Sequence, residues 1–302
     1  MKNFKELKRI SVFTLGTLLL LNGCSEKNNT ADTPDTNKKT NSKWELIIDK
    51  SKISGNVNIA QFVNEKKGIT VGYDGEIHYT EDGGKTWPKA TNKSACRYGV
   101  SAIDENTAVS CGNNGEIRIS NDSGKTWSPG GTFSSKNYYC SFTDSNNGWV
   151  ASSSNLAVTT DGGKTYNEIP LSKGINTIST IFLSKLGTGY VLNNEGKLFS
   201  TKDLGKSWSE LGVLPSDGKL NILSGTMQQA AINFSDEKHG IIFIVTKDGS
   251  HTLLRSEDGG INWKKEILPE IPSPYAVTIS PDSNYLTFTW GSGTVSVLKH
   301  KS

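Results

Sequence analysis

The chain has 302 residues, 34% of them hydrophobic and 31 of them glycine, with 33 basic and 30 acidic side chains. Without the four bases (Lys2, Lys5, Lys8, Arg9) and the one acid of residues 1–23, 29 of each sign remain. That balance disfavours a nucleic-acid partner, whose phosphates call for a basic excess, and no segment sustains the apolar period of a helix.

The basic start leads into an apolar run, Ile10–Leu21, too short to span a bilayer comfortably. Leu21-Asn22-Gly23-Cys24 follows. It resembles the lipobox of bacterial lipoproteins, which implies cleavage before Cys24 and a diacylglyceryl group on its thiol. An ordinary cleaved signal peptide is the alternative. Residues 1–23 are thus read as a lipoprotein signal peptide, and the expected location is the cell membrane, lipid-anchored, with the domain outside the cytoplasm. Residues 24–42 are the lipidated cysteine and a tether. Ser25–Ser42 has no aromatic or large aliphatic side chain, so it buries too little to order itself and averages roughly 20–25 Å end to end.

Residues 43–302 read as one all-β domain. Strand-like runs stand at Val57–Val63, Tyr98–Ile103, Tyr138–Phe142, Thr177–Phe182, Ala230–Phe234 and Ala276–Ile279. Each is followed by a polar turn and a second run, such as Ala108–Cys111 or Ile241–Val245. A Gly/Asn/Asp turn leads to a third strand, which ends in a motif found five times: TEDGGKTW, SNDSGKTW, TTDGGKTY, TKDLGKSW and SEDGGINW. Its aspartates are Asp82, Asp122, Asp161, Asp203 and Asp258. A hydroxyl stands two residues before each, and Gly84, Gly124, Gly163, Gly205 and Gly260 two residues after. Five after come Trp87, Trp127, Tyr166, Trp208 and Trp263. A short carboxylate accepts hydrogen bonds from its own turn, glycine takes positive φ, and the aromatic opens a fourth strand with a large apolar face. A residue repeated in every unit is structural before it is catalytic.

From Trp44 onward the aromatics step by 43, 40, 39, 42 and 55 residues. A period near forty with several short strands per unit indicates a β-propeller. After Trp263 no aromatic-led outer strand is left, but Lys43–Asp49 (KWELIID) is spare at the other end. The predicted solution is six four-stranded antiparallel blades, with Lys43–Asp49 completing the last blade beside Thr294–Leu298. Seven blades is the alternative, if Ser209–Gln229 hides a further unit rather than an inserted loop.

The five turns resemble the Asp-box, or bacterial neuraminidase repeat. The longer units FTDSNNGWVASSSNLAVTTDGGKTY and FVNEKKGITVGYDGEIHYTEDGGKTW are similar to repeats of the photosystem II stability/assembly factor family. That resemblance covers about five of the six units and implies a propeller acting as an assembly chaperone for a membrane protein. The photosynthetic members resemble a seven-bladed ring with an arginine-rich patch, whereas residues 24–302 hold only Arg97, Arg118 and Arg255, in separate blades.

Sialidases share the Asp-boxes but need three arginines, the first in an Arg-Ile-Pro motif before the first box, and Lys43–Tyr79 has no arginine. Xyloglucanase-type glycosidases need two carboxylates across a cleft, and no signal selects a pair. His78, His239, His251 and His300 are scattered without metal-ligand spacing. Two of Cys96, Cys111 and Cys140 are able to pair outside the cytoplasm; small core residues is the plainer reading. Trp149, Trp290 and Tyr138 read as packing between blades rather than a sugar platform. The sequence therefore assigns no catalytic residue, cofactor or metal. It predicts a protein-binding scaffold, with a glycan as the alternative ligand and a carbohydrate-active enzyme as the alternative function. The expected partner face is opposite the Asp-boxes: Tyr73, Asp74, Asn113, Asn114, Asn193, Asn194, Lys247, Asp248 and the insertion Gly212–Gln229.

Overall fold

The computed structural model describes residues 41–301 apart from 73–74, 92–97, 135, 185–186, 216–221, 223–227, 229 and 291. Cys24 and the expected signal peptide, Tyr73, Asp74, Cys96, Arg97 and most of the insertion lie outside the described residues.

After β1 (Trp44–Lys52) the chain builds one sheet at a time. Blade 1 is β2 (Val57–Phe62), β3 (Gly68–Gly72) and β4 (Ile77–Thr80); blade 2 is β5 (Gly99–Ala102), β6 (Ala108–Cys111), β7 (Glu116–Ser120) and β8 (Ser128–Thr132). Blade 3 is β9 (Tyr139–Phe142), β10 (Gly148–Ala151), β11 (Leu156–Thr159) and β12 (Asn167–Ile169). Blade 4 is β13 (Ile178–Leu183), β14 (Gly189–Asn193), β15 (Lys197–Thr201) and β16 (Ser209–Val213). Blade 5 is β17 (Ala230–Phe234), β18 (Gly240–Val245), β19 (His251–Ser256) and β20 (Lys264–Glu266), and blade 6 opens with β21 (Ala276–Ile279), β22 (Tyr285–Trp290) and β23 (Thr294–His300). Neighbours within every sheet are antiparallel. The fourth strand of blade 1 is reduced to a bridge, His78 to Lys89. Tyr79 N–H reaches Pro88 O at 3.1 Å there, but Pro88 has no N–H to return.

The six first strands form the hub. Each touches the first strands of its two neighbours, and β2 touches β21, so the circle closes. Burial falls outward as the taper of a propeller requires: β2, β10 and β18 are buried along their length, whereas β8 and β16 have no buried residue. Phe142 and Gly148 face each other across β9 and β10, and a Cβ on Gly148 would stand 2.3 Å from the Phe142 ring. The aromatic, polar turn and glycine of the repeat are therefore one packing unit.

The ring closes as the arithmetic of the repeats demands. β1 pairs with β23, Trp44 opposite His300 and Lys52 opposite Thr294, giving the sheet order β1-β23-β22-β21. Trp44 is 1% exposed and donates its Nε1–H to Glu266 Oε2 of blade 5 at 2.9 Å. The seven-bladed alternative is excluded. Ser209–Gln229 is also less of an insertion than the spacing suggests, because Ser209–Val213 is the fourth strand of blade 4. Its SELGV sequence is a weak strand signal because it lies exposed at the rim. Beyond it, Leu214 and Ile222 are buried in the core shared by blades 4 and 5.

Candidate functional site

The five repeated turns that resemble Asp-boxes, and are called so below, have the same wiring. In blade 3, Gly163 N–H donates to Thr159 Oγ1 at 2.9 Å, and Thr159 donates its hydroxyl to Asp161 Oδ1 at 2.9 Å. Asp161 also accepts Thr165 N–H at 2.9 Å and the Thr165 hydroxyl at 2.6 Å. The Thr165 hydroxyl, then its N–H, hold the Asp161 carboxyl down to about 2. Asp82 and Asp203 are held down to about 2 in the same way, first by the hydroxyls of Thr86 and Ser207. The glycine two residues on has positive φ in every copy, and so does its predecessor, including the non-glycines Ser123 and Leu204. Each aspartate is thus engaged by donors of its own turn.

The Asp-box turn is tied to the turn between the first two strands of its own blade: Gly83 N–H to Lys66 O, Gly162 N–H to Asn146 O and Gly259 N–H to Lys238 O, each at 2.9 Å. Both kinds of turn therefore share one end of the ring. At the other end, the expected partner residues fare differently. Asn114, Lys247 and Asp248 are exposed. Asn113 is half-buried and bridged to Lys136, and Asn194 O accepts Ile222 N–H at 3.0 Å. Asn193 cannot meet a partner by its side chain: it is fully buried, donating to Gly174 O and accepting from the N–H groups of Glu195 and Lys197.

The large cavity is at the Asp-box end, a feature the sequence did not locate. About 900 Å³ of space opens between the first strands and runs out over blades 4 and 5. Its hub wall is a belt of neutral polar side chains that stitch blade to blade. Thr278 donates to Ala60 O of blade 1 at 2.6 Å, and Gln61 accepts Ala102 N–H of blade 2 at 2.7 Å. Ser101 accepts Phe142 N–H of blade 3 at 3.1 Å, and Ser141 accepts Leu183 N–H of blade 4 at 2.9 Å. Asn233 of blade 5 donates to Pro281 O of blade 6 at 3.0 Å. At the remaining seam, between blades 4 and 5, the corresponding place is Phe182, which offers no such acceptor.

That seam is aromatic instead. Tyr190 of blade 4 stacks on Phe234 of blade 5 with ring centres 4.0 Å apart and an interplanar angle of 8°. Phe182 lies 6.0 Å from the Phe234 ring. Tyr190 donates its hydroxyl to Gly259 O at 3.3 Å, and burial pushes its phenol up to about 12. Above these rings the cavity is rimmed by Asp236, Glu237, Glu257 and Asp258 against Lys202 and Lys238. Hydrogen bonds from His239 and backbone N–H groups hold Asp236 down to about 2. The Asn262 N–H, then its side chain, hold Asp258 below the usual carboxylate range.

The other candidate chemistries separate in space. Arg118 is paired with Glu116, and Arg255 with Glu266 at 2.5 Å, each within its own blade. His78 is buried in β4, His239 pairs with Asp236 at 2.7 Å, His251 stacks on Phe243 and His300 packs edge-on to Trp44. Among the described residues no three His, Cys, Asp or Glu side chains converge as metal ligands. Cys111 is buried, and the half-buried Cys140 lines the cavity. Trp149 is fully buried, Trp290 donates to Ser273 O at 3.2 Å, and Tyr138 packs on Tyr98 at 5.1 Å.

No family model and no curated protein matches the chain, but solved structures do. "YCF48 bound to D1 peptide" superposes with a TM-score of 0.53 at 17% identity, over 86% of this chain and 96% of that one. The match is a β-propeller. The RRP9 WD40 repeats give a TM-score of 0.60 at 8% identity, over 85% of this chain and 97% of that one. An ancestral GH74 enzyme gives 0.53 at 11% identity, over 80% of this chain and 36% of that one. At these identities the likeness is one of fold, and the domain resembles the photosystem II assembly factor YCF48 as a propeller.

Proposed function

We propose that this protein is a lipoprotein, anchored through Cys24, that displays a six-bladed propeller outside the cytoplasm as a non-catalytic scaffold for a protein partner. The observation that carries the reading is the cavity at the Asp-box end. It is large, its hub wall is neutral and already hydrogen-bonded, and two of its rim carboxylates are spent on their own turns. Asp236 and Asp258 are held ionised, the reverse of the raised pKa that a glycosidic general acid needs. A cavity of this kind suits contacts that are made and released without bond chemistry. The propeller of YCF48, seen with a D1 peptide, supports a polypeptide ligand. The second reading, action on a glycan, draws on the GH74 likeness.

Crosslinking from the intact membrane-bound protein, with identification of what is captured, tests the first reading. Capture of one protein, with no turnover of a glycan panel, is the expected result; turnover without capture would establish the second. For the anchor, labelled palmitate should enter the wild-type protein and not Cys24→Ala, which should leave the membrane fraction.

A further inference from the structure

The five Asp-boxes are an internal control: they share one wiring, so a departure at an exposed position is free to report on something else. Three residues after the aspartate stand Lys85, Lys125, Lys164 and Lys206, but Ile261 in blade 5. Ile261 is 64% exposed and lines the cavity. One residue after the aspartate stand Gly83, Ser123, Gly162 and Gly259, but Leu204 in blade 4. Leu204 sits at φ 60°, a conformation leucine rarely adopts, and is 40% exposed. Neither exchange helps the turn. Ile261 lines the cavity at the seam of blades 4 and 5, where Phe182 stands in place of a polar hub side chain, whereas Leu204 lies beside Gly187 of its own blade, outside the cavity lining.

Half-buried Phe182 and Leu211 line the cavity beside Ile261, over the buried rings of Tyr190 and Phe234, so an apolar strip follows the seam of blades 4 and 5. Its rim has four carboxylates against two lysines, and the exchange of lysine for Ile261 removes a further positive charge from the place where the other boxes carry one. A strip of this chemistry attracts an apolar side chain flanked by cations and repels one flanked by acids. We infer that the seam between blades 4 and 5 is the partner-binding groove, and that it takes a polypeptide segment with a large apolar side chain beside lysine or arginine. This rests on the scaffold reading above and names the partner's chemistry.

The test is selection of random dodecapeptides on phage by the full-length lipoprotein in detergent, at low salt. Enriched sequences should place Leu, Ile, Met or Phe next to Lys or Arg. A synthetic representative should bind Ile261→Lys and Glu257→Lys at least about tenfold more weakly than wild type. Ile261→Lys restores the residue of the other four turns, and Lys202 already occupies the place of Glu257 in blade 4; both should melt like wild type. Enrichment of acidic peptides, no enrichment, or peptides that bind both variants as well as wild type would overturn the groove. Those outcomes leave the scaffold reading intact if the membrane-bound protein still captures a protein partner; that reading fails only with capture itself.

Discussion

Each Asp-box aspartate is fixed by donors from its own turn, and this has a pH signature. Asp82, Asp161 and Asp203 are lowered from 3.8 to about 2. A carboxyl that is more acidic when folded stabilises the fold above its unfolded pKa and loses that contribution as pH falls through the folded one. The urea midpoint should therefore be level above about pH 4 and fall between pH 4 and 2; a level midpoint across that window would contradict the wiring. The hydroxyl is the other half of the device. Thr159 is 1% exposed, and Thr159→Val keeps its shape while leaving Gly163 N–H without an acceptor. That change should cost about 1–2 kcal/mol, read by denaturant unfolding. This network was legible in the sequence because all its partners lie within six residues. Asn193 was misread because its short polar side chain looks the same in a solvated turn as in a buried one that serves its own backbone.

At the scale of strands, the second strand of a blade depends on its opening glycine. Gly148→Ala would drive a methyl into the Phe142 ring, with no room on that face of β10. The expected loss is about 1–3 kcal/mol in unfolding free energy, and Phe142→Leu in the same chain should recover part of it. β1 has the larger role. Trp44→Ala removes a buried indole and its bond to Glu266, an expected loss of about 3–5 kcal/mol. Deletion of residues 43–49 should abolish the cooperative melt, because β23 would become an exposed edge. Strand order was readable from period and count, since each hairpin is local in sequence. The short fourth strand of blade 1 was not, because a single proline, Pro88, decides how far the ladder runs.

The described residues of the ring present two unlike ends. One has short turns closed by their own hydrogen bonds, with Asn114, Lys247 and Asp248 exposed among them. The other has a cavity of about 900 Å³ that reaches the seam of blades 4 and 5. The reading of residues alone favoured the first end, because loops that vary attract attention and a cavity does not exist until six first strands converge. The two departures on which the proposed groove rests also stand in the repeats: Ile261 in a lysine position, and Phe182 where Gln61, Ser101 and Ser141 stand in other blades. Both become visible when the units are compared position by position for departures rather than for agreement.

The measurement that bears most directly on this account places a photo-crosslinking amino acid at position 261 or at position 247 of the membrane-bound protein. A covalent adduct with one protein is expected from position 261, and little or none from position 247. Adducts from position 247 alone, or none from either together with turnover of a glycan, would contradict it.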